Sequence, residues 1–386
     1  MSNNSLISKL KIACVKGILA FENFVLRTLH FVLFSKNETS PKRILLFRTG
    51  SIGDSICAFP AISAIRKHYK NSTLHILTNA GANNLVSLNA VLNPVFYDEI
   101  IDYSSYGFLE LFKIIKKNKY DLIIELPQDQ VSLTTEIRNL GFFRFAGIRA
   151  AWGWQINTCF LFRQTQEHKM KFESETVRLL KLLQQNNIPH ELSSQYPLNL
   201  TKFNALNAKE RLREFTNSRH LVALVPGAKR PQNRYPIDRF VELAQWLTSL
   251  SYNVIVIGGA EDEERGKELC VNDHVISFCG TVSPMESAAL LSNCLFCISN
   301  DTGPMHLSYA VGTPVIGLFS SRDFPNKWFP PLGNVALRND HVGCSLCFSE
   351  TCANNICMQG ISIDEVKSAV HRIEAVIKER EEVFKK

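Results

Sequence analysis

Residues 296–319 read FCISNDTGPMHLSYAVGTPVIGLF. An apolar run leads into a polar turn of Asp301, Thr302 and Gly303, then a short helical stretch, then a second apolar run opening at Pro314. Strand, turn, helix, strand is the repeating unit of a parallel α/β sheet. The turn suits a phosphate, because the first N–H groups of a helix lack internal partners and the helix dipole adds partial positive charge there. Gly303 lets a phosphate approach the backbone, Thr302 offers a hydroxyl, and Asp301 can accept from a sugar hydroxyl. Simple helix capping by Asp301 or Thr302 would also account for the turn taken alone, so the rest of the chain must decide.

A second turn of this kind lies near the start. RILLF at 43–47 is a buried-strand run, and RTGSIGD at 48–54 leads into an apolar-periodic helix ending near Tyr69. Gly50 and Gly53 permit a tight turn around Ser51 and leave Asp54 at the helix mouth. Further strands are predicted at 73–78 and 121–126, and a second set at 220–225, 253–257, 275–278, 296–299 and 314–319. Residues 142–172 carry no clear period. A helix is expected over 173–185, and the polar stretch 191–207 reads as a linker. Two α/β halves of this kind imply a cleft, with ligands at the carboxyl ends of the strands.

Four segments together resemble glycosyltransferase family 9, the heptosyltransferases of lipopolysaccharide core assembly. They are ILLFRTGSIGDSICAFPAISAIRKHY, VPGAKRPQNRYPIDRFVELAQWL, VIVIGGAEDEERGKEL and CGTVSPMESAALLSNCLFCISNDTGPMHLSYAVGTPVIGLF, in that order within residues 43–320. The D-T-G-x-x-H followed by G-T-P in the last is the most diagnostic. The resemblance implies a GT-B fold, two Rossmann-like domains facing a central cleft, with the acceptor on the first and the nucleotide sugar on the second. The expected organisation is an amphipathic segment at 1–40, an acceptor domain at 41–200, a donor domain at 208–360, and a final helix within 361–386 that crosses back onto the first domain.

The same resemblance implies an inverting, metal-independent transfer of heptose from ADP-heptose to a lipid-linked glycan acceptor. Transfer of another sugar from a nucleotide donor, or a non-catalytic sugar-nucleotide or lipid-binding scaffold, are the rival readings. Asp54 matches the family's catalytic base, beside the acceptor-side turn of Gly50, Ser51 and Gly53. The donor diphosphate is assigned to Thr302 and Gly303, with Asp301 alongside and His306 as support. No D-x-D pair suggests a catalytic metal, so no cofactor is expected for catalysis. In VPGAK at 225–229 the obvious phosphate charge is Lys229. Asn233 stands where relatives carry lysine, leaving Lys229, Arg230 or Arg234 to meet the phosphates. Of the acids Glu261, Asp262 and Glu263 after Gly258 and Gly259, Asp262, with Glu263 as the alternative, is placed on the ribose.

The composition is globular, with 45% hydrophobic residues, and 43 basic against 36 acidic side chains leave +7. That surplus favours anionic partners, but without an aromatic and basic stripe it does not imply nucleic acid. No G-x-G-x-x-G follows either domain-opening strand, which disfavours a dehydrogenase. In LISKLKIACVKGILAFENFVLRTLHFVLFSK, Lys9, Lys16, Asn23 and His30 recur every seven residues as one polar stripe on an otherwise apolar helix. The run is too interrupted to span a bilayer and lacks a cleavage site. It is read as a helix lying on the inner face of the cytoplasmic membrane, with packing on the protein itself as the alternative. The 11 cysteines include Cys344, Cys347, Cys352 and Cys357, a spacing open to free thiols, a structural zinc or a disulfide.

Overall fold

The protein is described here from a computed structural model, covering residues 2–34, 40–79, 86, 88–129, 131–156, 172–190, 196–213, 215 and 219–384. It divides into two compact units. One holds residues 1–167 and 175–197, and the other holds 168–174 and 198–386.

The first unit contains α1 (Ser2–Leu33), β1 (Arg43–Phe47), α2 (Ile52–His68), β2 (Thr73–Thr78), β3 (Glu99–Asp102), α3 (Phe108–Asn118), β4 (Leu122–Glu125), α4 (Leu133–Phe145), β5 (Ala150–Trp152) and α5 (Glu175–Gln185). Its strands form an all-parallel sheet in the order β3-β2-β1-β4-β5. Ile44, Leu45 and Leu46 are fully buried, as a central strand covered on both faces must be. Two of these strands, β3 and β5, were not expected. They are short, and β5 lies inside the stretch without a period, where Ala150 and Ala151 give little hydrophobic signal.

In the second unit follow α6 (Lys202–Leu212), β6 (His220–Val225), α7 (Ile237–Ser249), β7 (Tyr252–Val256), α8 (Glu263–Leu269), β8 (Val275–Ser277), α9 (Pro284–Leu291), β9 (Cys297–Asn300), α10 (Gly303–Ala310), β10 (Val315–Phe319), β11 (Val335–Arg338), α11 (Ile356–Gln359) and α12 (Ile363–Phe384). The second sheet is also parallel, ordered β11-β10-β9-β6-β7-β8. Helix α6 occupies the end of the expected linker. Thr201 and Asn204 form a reciprocal capping box that starts it, a signal outweighed in the sequence by the surrounding polarity.

The described core contacts of the last helix lie within the second unit. Val366, Ala369, Val370 and Ile373 are buried in one cluster with Val222, Val254 and Ile316 of the second sheet. The first helix, read as lying on the membrane surface with packing on the protein itself as the alternative, presents part of its polar stripe to the protein. Asn23 Nδ2 donates to the Ile156 carbonyl at 2.7 Å and its Oδ1 accepts from Ile156 N at 3.1 Å, while His30 Nε2 lies 2.8 Å from the Ala151 carbonyl. Leu26 and Phe34 enter the same core cluster as Ile115, Leu140 and Phe143. The seven-residue polar spacing is real, and two of its members, Asn23 and His30, satisfy the Ile156 and Ala151 carbonyls and the Ile156 amide that water would otherwise have to reach.

Candidate active site

In the first unit the turn after β1 is held from several sides. Gly50 has φ +130°, and a Cβ there would sit 2.5 Å from the Asp54 Cβ, so the position requires glycine on both counts. Its N–H donates to Asn79 Oδ1 at 2.9 Å. Ser51 caps α2, and Asp54 closes a capping box, its Oδ2 accepting from Ser51 N at 2.8 Å and from Ser51 Oγ at 2.6 Å. The Asp54 carboxylate is half-buried, with one oxygen pinned by the helix start and Oδ1 in no such bond among the described residues. Gly53 lies buried within the first turn of α2. Capping therefore occupies one oxygen of the Asp54 side chain.

The second unit brings together most of the residues expected on the donor side, because β9, β6 and β7 are adjacent and their carboxyl ends deliver neighbouring turns. Asn300, fully buried at the end of β9, stitches these turns: its Nδ2 donates to the Pro226 carbonyl at 2.8 Å and its Oδ1 accepts from Tyr235 N at 3.0 Å. Thr302 is the extended N-cap residue of α10 and Gly303 its first helical residue, with Pro304 behind it, so the N–H groups of the turn are those of a helix start. Asp262 is 5% exposed, and its Oδ2 accepts from Gly259 N at 3.2 Å while Oδ1 is buried without a partner. A Cβ on Gly227 would fall 2.0 Å from Asp262 Oδ2, so the turn after β6 closes directly onto this carboxylate. Burial raises the Asp262 pKa.

Arg234 Nε donates to the Ala228 carbonyl at 2.8 Å, and burial followed by Arg265 lowers its pKa, with Asp262 acting the other way. Lys229 is exposed at the tip of the loop. Asn233 is a neutral bridge: Oδ1 accepts from Ser320 Oγ at 2.7 Å and Nδ2 donates to Asp301 Oδ2 at 3.3 Å. His306 is 4% exposed, with Nδ1 at 2.7 Å from Tyr309 Oη and its ring edge-on to Trp328, a packing role inside α10.

The sequence reading missed Arg322, Asp323 and Lys327, which follow β10 and act electrostatically on Asp301 together with Arg230. Arg322 is buried, its guanidinium donating to the Ser349 and Phe348 carbonyls and to Glu350 Oε1 at 3.1 Å. Their signal was available, since SSRDFPNK directly follows a strand that runs beside β9. Burial, and next Asp323, raise the Asp301 pKa from 3.8 to about 7. The fold thus binds the protonated form more tightly. The resulting stability is complete below the unfolded value near 3.8 and is lost as pH rises through about 7. Chemical denaturation of wild type and Asp301→Asn should show their stability difference moving against wild type by roughly 2–4 kcal/mol between pH 4 and pH 8. A difference flat with pH would remove this account.

Around the four-cysteine loop, among the described residues, no group of three or more His, Cys, Asp or Glu is arranged to hold an ion. Cys344, Cys347 and Cys352 are exposed while Cys357 is buried, and Cys352 Sγ accepts from Asn355 N instead.

Two parallel α/β units with ligand-shaped turns at the strand ends define the architecture of a GT-B glycosyltransferase. The profile of glycosyltransferase family 9 (heptosyltransferase) matches residues 108–357, and the chain belongs to that family. It is 22% identical over 291 residues to lipopolysaccharide heptosyltransferase 3 of Escherichia coli, covering 70% of this chain and 81% of that protein. Among solved structures, a family 9 glycosyl transferase from Veillonella parvula DSM 2008 superposes with a TM-score of 0.66 at 22% identity, covering 89% of this chain and 99% of that one. The E. coli ADP-heptose lps heptosyltransferase II does so with a TM-score of 0.61 at 17% identity, over 88% and 99%. The chain is a glycosyltransferase, and its two units share the fold of these enzymes.

Proposed function

We propose that this glycosyltransferase moves heptose from ADP-heptose to a lipopolysaccharide core acceptor, with inversion at the anomeric carbon and without a metal ion. The observation that carries the reading is the divided use of Asp54, one oxygen fixed by Ser51 and the other left for a proton. In this reading Asp54 takes the proton of the acceptor hydroxyl as its oxygen bonds to the anomeric carbon, and the bond from that carbon to the diphosphate breaks. The leaving diphosphate is received by N–H groups at the start of α10, with Thr302, Gly303, Lys229 and the cations Arg230, Arg322 and Lys327 that act on Asp301. Asp262 accepts from the ribose hydroxyls through its orphaned Oδ1. The names of the relatives support heptose and ADP; another nucleotide sugar is the second reading.

The experiment is transfer by the purified protein with ADP-heptose, set beside the UDP, GDP and CMP sugars, with and without EDTA. ADP-heptose should be preferred and EDTA should leave turnover nearly unchanged, because the preorganised donors replace a cation. Immediate inhibition reversed by magnesium or manganese would sink the metal-free mechanism.

The acceptor is taken to be lipid-linked, with the protein peripheral on the inner face of the cytoplasmic membrane. No helix among the described residues is long and apolar enough to cross a membrane. Support for a surface-bound state comes from the outward side of α1. Leu10, Phe21, Phe24, Phe31 and Val32 are exposed there, opposite the stripe that grips the protein, and Lys9, Lys16 and Arg27 lie on its flank. Helices α3 and α4 share the core under α1 and leave Phe108, Leu109 and Phe145 exposed as well. These three helices carry nine basic and three acidic residues, a surplus of six within a chain surplus of seven. An apolar face ringed by cations complements an anionic bilayer.

A further inference from the structure

Beneath the Gly50–Asp54 turn lies a buried ionic cluster that the proposed chemistry does not use. Arg48 follows β1, Glu175 opens α5, and Arg178 returns to the same helix face three residues on. Arg48 and Glu175 are each 1% exposed. Glu175 Oε1 accepts from Arg48 Nη2 at 3.1 Å and from Arg178 Nη2 at 2.8 Å, and Oε2 accepts from Arg178 Nε at 2.8 Å. The guanidiniums then reach outward. Arg48 Nη2 donates to the Asp54 carbonyl at 2.9 Å, and its Nη1 donates to the carbonyls of Leu126 and Pro127 at 3.2 and 3.0 Å. Arg178 Nη2 donates to the Pro127 carbonyl too. One carboxylate therefore orients two forks, and the forks tie the backbone of Asp54 to the loop leaving β4.

A buried ion pair is a poor stability device, since well-packed apolar side chains commonly do as well. The cluster also holds two cations against one acid, and the surplus faces further carboxylates. Burial works against the Arg178 charge, but Glu175, then Asp129 and Asp54, outweigh it and raise its pKa. Among the described residues, the charged groups joined to Asp54 through this cluster include Arg48 after β1, Asp129 in the loop after β4, and Glu175 and Arg178 of α5. Glu125 on β4 also feels Arg178, but burial and then Glu136 push its own pKa well up, which favours its neutral form.

We propose that Glu175 is a positioning residue for Asp54: by holding Arg48 and Arg178 it sets both where the Asp54 turn stands and how much positive charge faces its carboxylate. The proposal rests on Asp54 being the base. It is tested by the pH dependence of transfer kcat/KM in full-length Glu175→Gln and Arg178→Gln. Glu175→Gln removes the carboxylate that both guanidiniums share, so the acidic limb should move to lower pH by about 0.5–1 unit. Arg178→Gln removes a cation and should move the limb to higher pH by about the same amount. Each should lower kcat about tenfold, with the donor KM little changed.

Shifts in opposite directions cannot come from lost stability. Limbs that stay in place, or move the same way in variants that still melt cooperatively, would overturn the proposal. Should Glu175→Gln fail to fold, Arg178→Gln and Arg178→Lys decide: the lysine variant keeps the charge, so its limb should stay while kcat falls, and an unmoved limb in Arg178→Gln overturns the proposal alone. Activity surviving in Asp54→Asn overturns the base reading and this proposal together. Loss of activity there with unmoved limbs in the other variants overturns only the role of Glu175.

Discussion

Asp54→Asn is expected to reduce transfer by about 100- to 10,000-fold while ADP still binds. The amide has the size of the carboxyl, and its oxygen can still accept from Ser51 N and Ser51 Oγ, the two donors that Asp54 Oδ2 holds at 2.8 and 2.6 Å. The start of α2 should therefore survive, since exchange among good capping residues costs well under ~1 kcal/mol. Arg48 binds the backbone carbonyl of residue 54 and is indifferent to the side chain. What the variant loses is a group that can take a proton. Steady-state transfer, with ADP binding measured in parallel by calorimetry, separates the two consequences. Turnover above about a third of wild type would remove Asp54 from the base role.

The second large effect is expected at the outward face of α1. Phe21, Phe24 and Phe31 are 63%, 67% and 82% exposed, so replacing all three by Glu removes no core contact of consequence. It exchanges apolar anchors for like charge at an anionic surface. Losing roughly 1 kcal/mol or more per aromatic, plus about 1 kcal/mol for each added charge, predicts at least a 100-fold fall in binding to vesicles containing anionic lipid. Melting temperature and turnover on a soluble acceptor fragment should hold. Deleting residues 1–38 would be a poorer test, because Leu26 and Phe34 belong to the core of the first unit and their removal would open it. Vesicle flotation equal to wild type would sink the membrane reading. So would a wild type that ignores vesicles but forms dimers through this face, which light scattering would reveal.

The sequence by itself determined the architecture, because its evidence is local. Apolar runs at 43–47, 220–225 and 296–299 are central strands of parallel sheets, and such strands must be apolar on both faces. The glycine at 50 and the Asp-Thr-Gly at 301–303 mark turns whose backbone needs are visible in residue type alone. Edge strands were another matter: Glu99–Asp102 and Val335–Arg338 are short and partly exposed, and such strands form where a neighbouring strand offers them a ladder. Only the tertiary structure decided which way α1 faces. A polar residue every seventh position says that one stripe of a helix is polar, not whether water or an unpaired carbonyl satisfies it, and Asn23 and His30 found carbonyls. The same holds for the charges. Arg48, Glu175 and Arg178 are spread over 130 residues of chain, and Arg322 and Lys327 lie beyond the strand next to Asp301, so their mutual effect depends on distances that no spacing rule encodes.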